Sequence, residues 1–255
     1  MKAYAAFTGK EFMEFSRTYK LLILSLVFLL FGMLSPLAAK YLPELIGQFM
    51  PEGIQMTLAE PTATDAWMQF HKNVSQMGTV ITVILFSGLM SGEYAKGTLI
   101  HILTKGLPRR TVVLAKFTAS AFLFTGAYLL CFGTAYGYTW FYWRADVNVQ
   151  GLFEMASAMW LFGVLLISVT LLGGIILKSS YGALLFTGGV VVLQLFLNML
   201  PAAREYNPMQ LVSGGSQLIQ GQLEAGSLHI PMAAAAACSV ACIAAACAVF
   251  NKKKL

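Results

Sequence analysis

The residue types that carry covalent chemistry are scattered along this 255-residue chain. Its three histidines, His71, His101 and His229, lie far apart, and no His-Glu-x-x-His pair occurs. There is no Gly-x-Ser-x-Gly elbow to activate a serine and no Gly-x-x-x-x-Gly-Lys-[Ser/Thr] loop to cradle a nucleotide phosphate. His71 stands near Glu44, Glu52, Glu60 and Asp65, but their spacing matches no metal-ligand motif. No catalytic, cofactor-binding or metal-binding residue is expected. The notable cluster of ionisable residues is Ser91 to Phe117, SGEYAKGTLIHILTKGLPRRTVVLAKF, with five of the seventeen Lys and Arg between two long uncharged runs. The chemistry open to such a stretch is recognition by another protein.

Leu99, Ile100, Ile102 and Leu103 recur at spacings of three and four, which predicts one apolar side of a short helix. Gly106 and Pro108 then break it, since proline lacks a backbone donor. A short amphipathic helix under a polar elbow results, and its apolar side needs a partner.

The elements that position this stretch are membrane spans. A hydrophobic share of 58%, 11% charged residues and a mean hydropathy of +0.70 exceed what a soluble domain can hide, so the chain is expected to be an all-α polytopic membrane protein. A hydrocarbon core of about 30 Å takes about 20 helical residues. Six runs free of Asp, Glu, Lys and Arg meet that length: Leu21 to Ala39, Asn73 to Gly92, Phe117 to Trp143, Met155 to Leu177, Ser179 to Ala203, and Ala225 to Asn251, the last spanning from about 229. With the amino terminus inside, thirteen of the seventeen basic residues fall on the inner side, which places both termini in the cytosol. The net charge of +6 is then an orientation signal and gives little support to nucleic-acid binding. Cys131, Cys238, Cys242 and Cys247 lie in proposed spans and suggest packing.

Glu93, Gly97, Thr98, Leu99, Leu103, Lys105, Pro108, Arg109, Val112, Val113 and Lys116 together resemble the first cytosolic loop of ABC export permeases of type two. In that family the loop resembles a coupling helix that docks into a groove on a separate ATP-binding subunit. The resemblance implies a coupling set of Glu93, Lys96, Gly97, Thr98, Leu99, Ile102, Leu103, Lys105, Pro108 and Arg109, with Glu93 capping that helix or pairing with a nearby base. It implies no cofactor in this chain, ATP and Mg on the partner, a homodimer or second permease subunit, and export across the cytoplasmic membrane. Arg17, Lys116 and Lys178 are expected to anchor spans at the inner interface. The same residues are also read as topology signals alone. An ion- or gradient-driven six-helix carrier or channel, and a non-transporting membrane protein, stay open. Spans without carboxylates weigh against ion coupling.

Before the first span, Phe7, Phe12, Met13 and Phe15 alternate with Lys10, Glu11, Glu14 and Arg17, which fits an interfacial helix with aromatics in lipid and charges in water, or an ordinary solvated helix. Trp67, Phe70 and His71 suggest a short helix resting on the outer interface. Gly88-x-x-x-Gly92 and Gly133-x-x-x-Gly137 allow close helix approach, and Ala234, Cys238, Cys242 and Ala246 form a face for packing. Tyr136, Tyr138, Trp140, Tyr142 and Trp143 read as an outer aromatic belt or as a stacking site for substrate. Gln194 and Asn198 share a face for helix contact or a pathway. Two apolar patches, Met209 to Val212 and Gln217 to Leu223, resemble the paired short outer helices that type-two permeases place between their last two spans.

Overall fold

The computed structural model describes residues 2–48, 60–98, 104, 106–144 and 149–253. Every element among them is helical: α1 (Lys2–Arg17), α2 (Lys20–Gln48), α3 (Ala63–Asn73), a π turn (Val74–Gly78), α4 (Thr79–Lys96), α5 (Arg109–Tyr142), α6 (Leu152–Leu177), α7 (Ser180–Asn198), α8 (Pro201–Arg204), α9 (Gln210–Ile219) and α10 (His229–Lys252). Six helical stretches are long and apolar enough to cross a membrane: Lys20–Leu45, Ala63–Tyr94, Arg109–Tyr142, Leu152–Leu177, Ser180–Asn198 and His229–Lys252. α6 packs against α4, α7, α9 and α10 and is buried along most of its length. Around it, α2, α7 and α10 leave apolar side chains such as Leu22, Leu185, Phe196 and Val240 uncovered. Uncovered apolar flanks on spanning helices are what a lipid solvent accommodates.

The helices outrun the uncharged runs of the sequence. α2 continues through Pro36 and Pro43, since neighbouring helices can satisfy the carbonyls a proline frees. The expected interfacial helix around Trp67 instead extends the second span. Thr62 caps it, accepting from the Asp65 amide at 3.3 Å while Asp65 accepts from the Thr62 amide at 2.9 Å. The π turn then joins α3 to α4. Trp67, Phe70, His71 and Val74 share one helix face, so all four are buried inside the bundle. Trp67 stacks on Phe132 of α5 at 5.4 Å, and Phe70 meets Tyr128 edge-on at 6.3 Å.

Further expectations are corrected. Two short helices, α8 and α9, stand between α7 and α10 as expected, but the apolar patches do not divide between them: both bear on the ten-residue α9, which runs through Gly214 and Gly215 because these serve packing there. A methyl group on Gly214 would stand 2.7 Å from Leu228, and one on Gly215 2.8 Å from the His71 ring. Conversely, Gly92, Gly133 and Gly137 face open space, while α2 and α5 come close at Gly32, where an added methyl would stand 2.5 Å from the Cys131 carbonyl oxygen. α10 buries Ala235, Ser239, Ala246 and Phe250 and exposes Cys238, so its packing face is rotated from the expected one. In α5, Tyr136 packs on Trp67 and the Trp143 indole donates to the Pro61 carbonyl at 2.7 Å, while Trp140 and Phe141 stay exposed.

Candidate functional site

The site begins on α1. Phe7, Glu11 and Phe15 recur every four residues and so form one face, which packs inward on the bundle with exposures of 8%, 1% and 2%. The assignment of aromatics to lipid and charges to water therefore fails on this face. Glu11 is a carboxylate between two phenyl rings, and burying it is costly unless it is paired. Lys116, two turns into α5 and 1% exposed, supplies the pair, with Nζ donating to both Glu11 oxygens at 2.9 Å. The same ammonium donates to Glu93 Oε1 of α4 at 3.1 Å. From the solvent side, Lys10 Nζ donates to Glu93 Oε1 and Glu14 Oε2 at 2.7 Å each and to Glu11 Oε1 at 3.1 Å. The Thr98 hydroxyl donates to the other Glu93 oxygen.

Three helices are thereby tied at one node. The three carboxylates come within 4.8 Å of one another, a spacing that cations must fill, and Lys10 and Lys116 fill it. Burial acts to lower the Lys10 pKa, but its hydrogen bonds to Glu14 and Glu93 outweigh burial and hold it above the usual lysine range. For Glu14, burial acts upward and the Lys10 hydrogen bond prevails, leaving the carboxyl below its ordinary value. The uncharged runs read as spans contain no carboxylates. The real helices, running to Lys96 and starting at Arg109, carry Glu93 and Lys116 inside their ends.

This node frames the stretch that stood out in the sequence. On its near side α4 ends at Gly97, whose φ of +65° is the left-handed conformation that glycine adopts without strain. On its far side Gly106 has φ of +83°, Leu107 packs on the core, and Pro108 leads in extended conformation into α5. The Lys96 backbone closes α4, while Leu99, Ile100, Ile102, Leu103 and Lys105 lie outside the described residues. Shallow clefts flank Lys10, one of about 410 Å³ bordered by Glu14, Arg17, Glu93 and Thr98, the other of about 400 Å³ bordered by Phe7, Gly106 and Pro108.

A second set of contacts holds the far side. Arg109 Nη1 donates to the carbonyls of Phe250, Asn251 and Lys253 at 2.9, 3.1 and 2.6 Å, closing the carboxyl end of α10. Lys253 Nζ in turn donates to the Ile175 carbonyl and, at 2.8 Å, to that of Ile176 at the end of α6. Cations at these ends meet both the unsatisfied carbonyls and the negative pole of each helix. Lys178, exposed, ends α6 with φ of +55°, and Arg17 is exposed at the end of α1. Of the sequence candidates, Glu93, Thr98 and Lys116 come together, Arg109 joins a separate capping set, and Arg17 and Lys178 enter neither. The sequence reading missed Lys10 and Glu11 as members. The signal was present in the Phe7-Glu11-Phe15 spacing.

A family model described as ABC-2 family transporter protein matches residues 5–255. The chain belongs to the ABC-2 transporter family. It is also similar to the uncharacterized transmembrane protein YxlG of Bacillus subtilis (strain 168), 20% identical over 226 residues that cover 86% of each chain. As a member of the ABC-2 family it is a multi-pass permease, the membrane translocation part of a transporter and not itself the catalytic one. Such permeases normally work with an ATP-binding subunit.

Proposed function

We propose that this chain is the translocating half of an ABC exporter and that a separate ATP-binding subunit grips it through the segment between α4 and α5. The observation that carries the reading is the framing of that segment. Glu93 and Thr98 at its entry and Lys116 beyond its exit belong to one buried network that also includes α1. A push on residues 97–108 is then delivered to three helices at once, and a bistable bundle can convert it into a change of access. ATP and Mg reside on the partner subunit, and a second copy or a second permease completes the pathway. The end of the bundle with both termini faces the cytosol, in keeping with the positive-inside distribution of Lys and Arg.

One observation favours the carrier reading, namely that buried ionisable groups do exist. They sit at the ends of α4 and α5 and are mutually satisfied, whereas ion-coupled carriers place such groups near the midplane. The exporter reading is therefore preferred. Its test is affinity purification of the tagged chain from its native membrane, comparing wild type with Leu103→Asp, which spoils the apolar side predicted by sequence spacing. Co-purification of an ATP-binding subunit with wild type and its loss from a still-folded variant supports the reading. An ATPase that never co-purifies, or that stays bound to the variant, refutes it.

A further inference from the structure

At the end of the bundle that carries both termini, α4, α5, α6 and α10 converge on the ring of Tyr94. Lys178 and Lys253 each place an ammonium nitrogen 5.7 Å from the ring centroid. Arg109 lies close enough for its charge to act on the Tyr94 hydroxyl. That hydroxyl oxygen is buried and has no hydrogen-bond partner among the described residues. Buried hydroxyls are nearly always bonded, so an orphan one points to an acceptor that the described residues do not provide. The carbonyls that Arg109 and Lys253 cap fix these cations in place without neutralising them. Among the described residues, no carboxylate lies within 4.0 Å of Arg109, Lys178 or Lys253. Burial, and then the neighbouring Lys178 charge, push the Lys253 ammonium below the usual lysine range, as expected where like charges are gathered.

Two cations over one ring, a third beside it over Phe250 and a hydroxyl donor call for a compact group with several anionic oxygens, and a phosphate has that form. The rim of the patch adds a second requirement. Ile176 and Leu177 precede Lys178, Tyr181 follows it, and they are 40%, 47% and 79% exposed. A ligand with a phosphate at the cations and hydrocarbon along this rim matches both halves. We propose that Arg109, Lys178, Lys253 and Tyr94 form a binding site for the phosphate of an anionic phospholipid, with the acyl chain lying against Ile176, Leu177 and Tyr181. The site does not depend on the exporter reading: of its four residues only Arg109 belongs to the coupling set, and here it acts through the carbonyls it caps at the end of α10.

The test uses the full chain, stripped of lipid in an uncharged detergent and titrated with phosphatidylglycerol, with phosphatidylcholine of the same chains, and with inorganic phosphate, while thermal unfolding is followed. Phosphatidylglycerol is expected to raise the melting temperature saturably and phosphatidylcholine far less. Lys178→Gln, at an exposed position, should weaken the phosphatidylglycerol response about fivefold, the worth of one surface cation toward an anionic lipid. Tyr94→Phe should weaken it as well, whereas Lys252→Gln, an equal loss of charge nearby, should not. A response to inorganic phosphate as strong as that to phosphatidylglycerol, and lost in Lys178→Gln, supports the phosphate site and names the free anion as its source. Wild-type binding by both Lys178→Gln and Tyr94→Phe, or an equal loss in Lys252→Gln, overturns the proposal in favour of diffuse surface attraction.

Discussion

Replacing Lys116 with methionine removes the one cation that lies fully inside the node and leaves its volume nearly unchanged. Both oxygens of Glu11 lose a 2.9 Å bond and Glu93 loses one at 3.1 Å, while Lys10 still reaches each of them. Removing one partner of a buried pair costs about 3–5 kcal/mol, and the remaining Lys10 contacts place this case near the lower end, about 3 kcal/mol. On the scale of a domain of this size that lowers the melting temperature by roughly 6–12 °C. Fluorescence-detected size exclusion after heating, in uncharged detergent, reads the shift. The double variant Glu11→Leu with Lys116→Met removes both the orphan charge and its partner, and an apolar replacement of a buried pair is often neutral. It should recover most of the lost stability. Transport in reconstituted vesicles with the ATP-binding subunit then separates packing from mechanism: the stable double variant should retain subunit binding and lose transport. A single variant as stable as wild type would refute the buried network, and a double variant that transports normally would refute its role in transmitting force.

Gly97→Ala should cost about 1 kcal/mol, because a left-handed residue ends α4 there, and the loss should appear as a lower melting temperature. Gly215→Ala pushes a methyl into the His71 ring and should destabilise by about 1–3 kcal/mol by the same assay, whereas Gly137→Ala, facing open space, should be near neutral. Arg109→Gln should increase amide hydrogen exchange in the last turn of α10, which loses its capping guanidinium. The pH response has a definite sign. Glu14 has a depressed folded pKa, so its pairing contributes fully above the ordinary 4.5 and is lost as pH falls through the lower folded value. Lys10 has a raised folded pKa, so its contribution is full below the ordinary 10.5 and fades as pH rises through the folded value. Thermal unfolding should therefore lose no stability from this pair across the neutral range, and a steep loss there in wild type that Glu14→Gln abolishes would contradict the assignment.

The six spans were readable because a bilayer demands length and apolarity, both of which are linear properties of sequence. Their ends were not, since Glu93, Arg109 and Lys116 are charged and yet helical, and only their tertiary partners admit them. The location of the site was readable for the opposite reason: Glu93, Gly97 and Arg109 crowd one short stretch. Its depth was hidden. Glu11 reads as a surface residue until Lys116, 105 residues away, is brought to it. Gly214 and Gly215 look like a break, and only the nearby Leu228 and His71 show that they make room for packing. Trp67, Phe70 and Val74 were legible as a face, but an aromatic near a proposed membrane boundary suits a belt equally well.

The Arg109 clamp also sets an order of assembly. Its acceptors at the end of α10 are 141 to 144 residues further along the chain, so they emerge from the ribosome long after α5 has entered the membrane. Until α10 is in place, the exit of the 97–108 segment lacks the Arg109 anchor and is held by its other contacts, among them those of Lys116 with α1 and α4. On the proposed exporter reading, a nascent chain thus offers an unfinished docking platform, and the rigid one arises only when the final span is seated. Synthesis itself would delay a firm grip by the ATP-binding subunit until the bundle it must move has been built.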